Sequence, residues 1–98
     1  MTEPVLEIVE FRTTANEEML LDSAAAMEPW LAAQPGFRAR RLAALGDGAF
    51  IDCIEWDDLH AAKRAAANIM SAAAAKAFLA CIDSASVVMR HAPIVLRQ

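Results

Sequence analysis

Apolar residues fall on both parities of the stretch from Val5 to Thr13: Val5, Val9 and Phe11 on one, Leu6 and Ile8 on the other. A strand patterned in this way has both faces at least partly covered. Glu7, Glu10 and Arg12 interrupt the pattern and are its informative exceptions. Thr14-Ala15-Asn16-Glu17 then reads as a capping box, with Thr14 accepting from the Glu17 amide. The helix that follows runs to about Gln34, with Leu20, Ala24, Met27 and Leu31 spaced along one buried face. Pro29 cannot donate to the Ala25 carbonyl, and its ring crowds that turn. A kink or break is therefore expected near Glu28, with Pro29 opening a final turn that carries Trp30.

Pro35-Gly36 ends this helix, and a second strand runs from Phe37 to about Leu45. Arg38, Arg40 and Arg41 make it the most polar strand, partly exposed or at a cavity rim. Gly46-Asp47-Gly48 is a hairpin turn whose glycines tolerate positive φ, so the second and third strands should be antiparallel neighbours. In the third strand Phe50, Asp52, Ile54 and Trp56 share one face, and Ala49, Ile51, Cys53 and Glu55 the other. Asp57 or Asp58 caps the next helix, whose expected buried stripe is Leu59, Ala62, Ala66 and Ile69. After a break between Asn68 and Ser71, Ser71 is placed to cap a short helix with Ala75, Phe78, Leu79 and Ile82 inward. The last strand is read from Ser86 to Leu96. Val87, Met89, His91 and Val95 lie on one parity, and Pro93 points to an edge or a bulge.

Strand, helix, strand, strand, helix pair, strand is the order of an α+β ferredoxin-like plait, with helices on one face of an antiparallel sheet. No linker or repeat divides the chain, so residues 1–98 read as one domain. Helices can cover only one face, yet the strands are apolar on both. The 98 residues are 57% hydrophobic, with mean hydropathy +0.30, and a domain this small has limited interior. A second copy resolves the mismatch. Two sheets packed face to face form a homodimeric α/β barrel.

Charge removes several function classes. The net charge is −4 and no basic run is interleaved with aromatics, so nucleic-acid binding is not expected. No stretch approaches the roughly 18 uncharged apolar residues of a membrane span. The first residues, MTEPVLEIVE, carry acids and no basic leader pattern, which points to a cytoplasmic protein. Cys53 and Cys81 sit in apolar segments and read as small buried hydrophobes. CxxC, HExxH, GxGxxG and P-loop patterns are absent from the sequence, so neither a metal nor a cofactor is expected.

Three short motifs carry a resemblance: Pro35-Gly36-Phe37 after the first helix, Glu55-Trp56-Asp57 at a strand end, and Ala77-Phe78 in the second half of an interrupted helix. With the element order, they make the chain similar to the antibiotic biosynthesis monooxygenase-like family of dimeric α/β barrels. The resemblance implies a cavity between sheet and helices within each subunit. The family includes cofactor-independent oxygenases of polyketide phenols, quinol-oxidising enzymes, haem-degrading enzymes and members without known activity. The haem-degrading members use an Asn, a Trp and a His. Trp56 matches the Trp, but the first strand has no Asn and the helix after Trp56 has no His in its second half, so haem degradation is not expected. The phenol oxygenases tend to use cavity tyrosines, and this chain has no Tyr.

A cofactor-free oxygenase needs a base, a dry pocket and donors that stabilise a substrate anion. His91 and Asp52 are the candidate proton acceptors. Histidine is the side-chain type best suited to act as a base near neutral pH, and Asp52 stands on an otherwise apolar face, where an acid must be paired, protonated or functional. The alternatives are a hydrogen-bonded or interface His91 and an Asp52 paired with Arg38 or Arg40. Trp56 would wall the cavity and offer its indole N–H, or simply fill the core. Arg12, Arg38 and Arg40 would hold an anionic substrate, or be solvated at the sheet edge; His60 reads as solvated. Two functions remain open: a small monooxygenase-like enzyme acting on an aromatic or quinol-type molecule, or a non-catalytic member that binds a small ligand or serves as a scaffold.

Overall fold

The computed structural model describes residues 3–98. Four strands, β1 (Val5–Arg12), β2 (Phe37–Gly46), β3 (Ala49–Trp56) and β4 (Val88–Pro93), form a sheet in the order β2-β3-β1-β4. All neighbouring pairs are antiparallel. Helices α1 (Glu17–Ala26) and α2 (Glu28–Ala32) connect β1 to β2, while α3 (Leu59–Ile69) and α4 (Lys76–Ala80) connect β3 to β4. This is the expected ferredoxin-like plait. Among the described residues no helix is long and apolar enough to cross a membrane.

Local chemistry sets the element ends. Pro29 falls in the first turn of α2, where its missing N–H is not needed, and Met27 separates α2 from α1. The hairpin turn carries positive φ at Gly46, Asp47 and Gly48. Asp58 caps α3 by accepting from the Ala61 N–H at 2.8 Å. Pro93 closes β4, an edge strand, as its missing donor requires.

Four expectations are corrected. The cap of α1 is Asn16, which accepts from the Met19 N–H at 2.8 Å; Thr14 is occupied elsewhere, its N–H donating to the Cys81 carbonyl at 2.8 Å. The buried face of α3 is Ala61, Ala62 and Ala65, and Leu59 is exposed. Gly36 explains the rotation: its φ is +84°, and a Cβ built there would lie 2.6 Å from the Ala61 Cβ, so only small side chains fit between α3 and the sheet. Ser71 caps nothing; it donates to the Asn68 carbonyl, and a 3-10 turn over Ala73–Ala75 precedes α4. Finally, β4 spans Val88–Pro93 rather than Ser86 to Leu96. The Ser86 hydroxyl accepts from the Arg12 N–H at 2.8 Å, which holds a 3-10 turn over Ser84–Ser86 against the end of β1.

The register divides the sheet into rows on its helix-facing side. Phe37, Trp56, Val5 and Pro93 form one row; Phe50 and Phe11 meet in another. The buried apolar residues gather in two groups. Phe11, Leu20, Met27, Phe50 and Phe78 form one, and Leu31, Ile54, Trp56, Ala61, Ala62 and Ala65 the other, with Trp30 touching both. The opposite face of the sheet carries Leu6, Ile8, Ile51 and Cys53, only half-buried because no helix lies over them. Cys53 and Cys81 are both free thiols, and burial pushes the Cys53 thiol pKa up, with the Asp52 charge adding to the rise.

Candidate functional site

Between the two apolar groups the helix-facing side turns polar. Arg40, Ile54, Glu7 and His91 fall in one row across all four strands, and the next row is Leu42, Asp52, Val9 and Met89. A cavity of about 350 Å³ lies between these rows and the helices. Its walls are mostly apolar, with Met27, Trp30, Ile54, Trp56, Ile69 and Phe78 prominent, and Glu7, Arg40 and Asp52 as its charged groups. Met70, Val87 and Met89 line it while remaining exposed, so the cavity opens to solvent between the end of α3 and the start of β4.

Asp52 and Arg40 come together as a bidentate pair. Arg40 Nε donates to Asp52 Oδ1 at 3.0 Å and Nη2 donates to Oδ2 at 2.7 Å. Arg40 Nη1 also donates to the Ala24 carbonyl at 3.2 Å, and the guanidinium stands 5.1 Å from the centre of the Phe78 ring. The Asp52 side chain is buried and that of Arg40 is 10% exposed. Asp52 therefore reaches the cavity wall with both oxygens already engaged. Arg40 faces Asp52 and the α1 backbone instead of presenting a free fork.

Arg38 is not brought to this site. A register shift between Phe37 and Ala39 turns it outward, where it pairs with Asp57 and Glu55 on the exposed surface. His60 is exposed.

Trp56 is buried against Phe37, edge to face at 5.9 Å between ring centres, and forms part of the cavity wall. Its indole Nε1 has no hydrogen-bond partner. His91 faces the same side of the sheet from β4, directly across from Glu7. It does not line the cavity. It lines a second, open pocket at the sheet end, together with Glu3, Asp58 and His60. The link between them is Glu7, whose Oε1 lies 3.5 Å from His91 Nε2.

Sequence reasoning missed Glu7. It is 7% exposed, it lines the cavity, and Oε1 has no hydrogen-bond partner; His91 Nε2 has none either. Burial raises its carboxyl pKa above the ordinary carboxylate range, His91 and the nearby Trp56 indole oppose that rise, and the Asp52 charge adds to it. The signal was in the sequence: an acid inside a strand that is apolar on both parities must be paired, neutral or functional. Three polar atoms without partners thus belong to neighbouring side chains at one place, those of Glu7, Trp56 and His91. Among the described residues no three His, Cys, Asp or Glu side chains are grouped as metal ligands would be.

No family model matches the sequence, and no curated protein matches it significantly. Solved structures do match. The cofactor-independent oxygenase SnoaB from Streptomyces nogalater is 22% identical, with a TM-score of 0.70 over 99% of this chain and 96% of that one. A candidate antibiotic biosynthesis monooxygenase from Bordetella bronchiseptica is 15% identical, with a TM-score of 0.79 over 97% and 100%. A haem-degrading protein from Mycobacterium tuberculosis, in its haem-free form, is 19% identical, with a TM-score of 0.71 over 100% and 98%.

Proposed function

The chain has the fold of antibiotic biosynthesis monooxygenase structures, and from that premise we propose that it is a small, cofactor-independent, monooxygenase-like enzyme acting on an aromatic or quinol-type molecule bound in the cavity. The observation that carries this reading is an apolar cavity of about 350 Å³ whose wall includes Glu7 and Trp56, with Glu7 Oε1 and Trp56 Nε1 buried and without a hydrogen-bond partner. A flat aromatic body matches the walls. In the proposed complex a ligand oxygen meets the Trp56 N–H, which would stabilise it as it becomes anionic.

The chemistry asks little more of the protein. An anthrone that loses a C–H proton becomes a carbanion rich enough in electrons to reduce O₂. One oxygen atom ends on the ring carbon and the other leaves as water, giving the quinone. The substrate supplies the electrons, and the site supplies a proton acceptor, a water-poor pocket and an anion-stabilising donor. Of the two acceptors expected from sequence, Asp52 is tied to Arg40, while His91 reaches the cavity through Glu7.

We further propose that the working form is a homodimer. The half-buried apolar face formed by Leu6, Ile8, Ile51 and Cys53 supports a second sheet packed against it. Oxygen uptake with dithranol, a hydroxylated anthrone, or with a quinol tests the enzymatic reading. Turnover to the quinone is expected, falling in His91→Ala with folding retained; Asp52→Asn should reduce it chiefly by loosening the pair with Arg40. Binding of anthraquinones without oxygen uptake from any anthrone or quinol would favour a non-catalytic ligand carrier.

A further inference from the structure

Two pockets meet at one pair of side chains. Glu7 lines the apolar cavity, His91 lines the open pocket at the sheet end, and the two stand opposite each other on β1 and β4. Their facing atoms, Oε1 and Nε2, are 3.5 Å apart, both buried and both without another partner. We propose that Glu7 and His91 form a proton-transfer pair through the wall between the two pockets, with Glu7 as the catalytic acceptor and His91 as the positioning and relay residue behind it. The proposal rests on the enzymatic reading for its substrate, an aromatic molecule with an acidic C–H or O–H.

The steps balance. The substrate C–H or O–H bond breaks and an O–H bond forms on Glu7, leaving the substrate anion beside the Trp56 N–H. The proton then moves from Glu7 to His91 Nε2, and the imidazolium gives up a proton to water in the open pocket; the second oxygen of O₂ leaves as hydroxide and takes up a proton from solvent, which completes the water. Glu7 returns to its carboxylate. The acceptor must sit near neutrality to do this. Burial raises the Glu7 carboxyl in that direction.

The charged neighbours are few. Facing Glu7 are His91 on β4 and, from β3, Asp52, which Arg40 on β2 neutralises. The open pocket that His91 lines also holds the carboxyl groups of Glu3 and Asp58 and the His60 imidazole. Asp52 is unsuited to the acceptor's part because both of its oxygens are bound by Arg40.

The experiment has two readouts. First, the Glu7 side-chain carboxyl is followed by ¹³C NMR against pH in the wild type, in His91→Gln and in His60→Gln. Loss of His91 should raise the Glu7 midpoint, because its charge favours the carboxylate, and loss of His60 should leave it unchanged. An unaltered midpoint in His91→Gln, repeated in His91→Asn, overturns the pair. Second, oxygen uptake with dithranol is measured against pH. Glu7→Gln, nearly the same shape, should lose roughly 10²- to 10⁴-fold in turnover. His91→Gln should lose less and move the acidic limb of its pH profile upward with the Glu7 midpoint, which a merely structural histidine would not do. Wild-type turnover in Glu7→Gln overturns the proposal and leaves the oxygenase reading standing. If the wild type consumes no oxygen, the oxygenase reading fails and the catalytic part given to Glu7 falls with it; an unchanged NMR midpoint would then remove the pair as well.

Discussion

Glu7 and Asp52 are two buried carboxylates on neighbouring strands with different partners. Asp52 has a bidentate arginine, whereas Glu7 has a histidine at 3.5 Å and no hydrogen bond to Oε1. Each makes a different prediction. Because Glu7 titrates higher in the folded chain than in the unfolded one, the native state binds more protons across the window between those values, so stability falls as pH rises through it. Below the unfolded value, near 4.5, Glu7→Gln should match the wild type. Above the window it should be the more stable protein in urea melts, and its pH slope should be flatter. A wild-type slope in the variant would mean that Glu7 is not the group responsible. Removing one member of the Arg40–Asp52 pair leaves a buried charge unpaired. Asp52→Asn or Arg40→Met should each cost about 3–5 kcal/mol, while replacing both with apolar residues should cost far less. Equal costs for the single and double variants in a mutant cycle would contradict that. From sequence, an acid among Phe50, Ile54 and Trp56 announced a paired or functional group, and the arginine partner was weighed correctly as an alternative. Glu7 was harder to see, because Glu10 and Arg12 on the same strand dilute it as an exception.

At the scale of elements, the short motifs turn out to be packing devices around the site. Gly36 brings the start of β2 against α3, Phe37 lies edge to face on Trp56, and Phe78 packs on Phe11 at 6.0 Å while Arg40 stands over its ring. Gly36→Ala meets two obstacles, a positive φ and a close contact with Ala61, and should cost about 2–4 kcal/mol. Adding Ala61→Gly should recover only the contact part; full recovery in thermal melts would show that the backbone angle carries no strain. The hairpin, the proline break between α1 and α2 and the edge position of β4 were readable because glycine and proline act locally. The cap of α1, the face of α3 and the start of β4 were not. Each is decided by a contact distant in sequence: Thr14 with Cys81, Ala61 with Gly36, and Arg12 with Ser86.

The whole molecule has one sheet face under helices and one without cover. The helix-covered face holds a cavity because its middle rows spend positions on Arg40, Asp52, Glu7 and His91 that a closed core would give to large apolar residues. The other face predicts the assembly. Native mass spectrometry should show a dimer, and Ile8→Lys with Ile51→Lys should give a monomer of reduced stability; a monomeric wild type would leave that face unexplained. Site residues were less legible than the fold because facing depends on register, which sets Glu7 opposite His91 and turns Arg38 away. The most direct test of the central claim uses the two tryptophans, Trp30 and Trp56, that both line the cavity. Titrating a dihydroxyanthraquinone should quench their fluorescence with a single saturable site per chain. Ala66→Phe, which fills the cavity from α3, should abolish that binding while the fold persists. Unchanged binding in Ala66→Phe, or no saturable binding in the wild type, would contradict the claim that this cavity is where the protein meets its substrate.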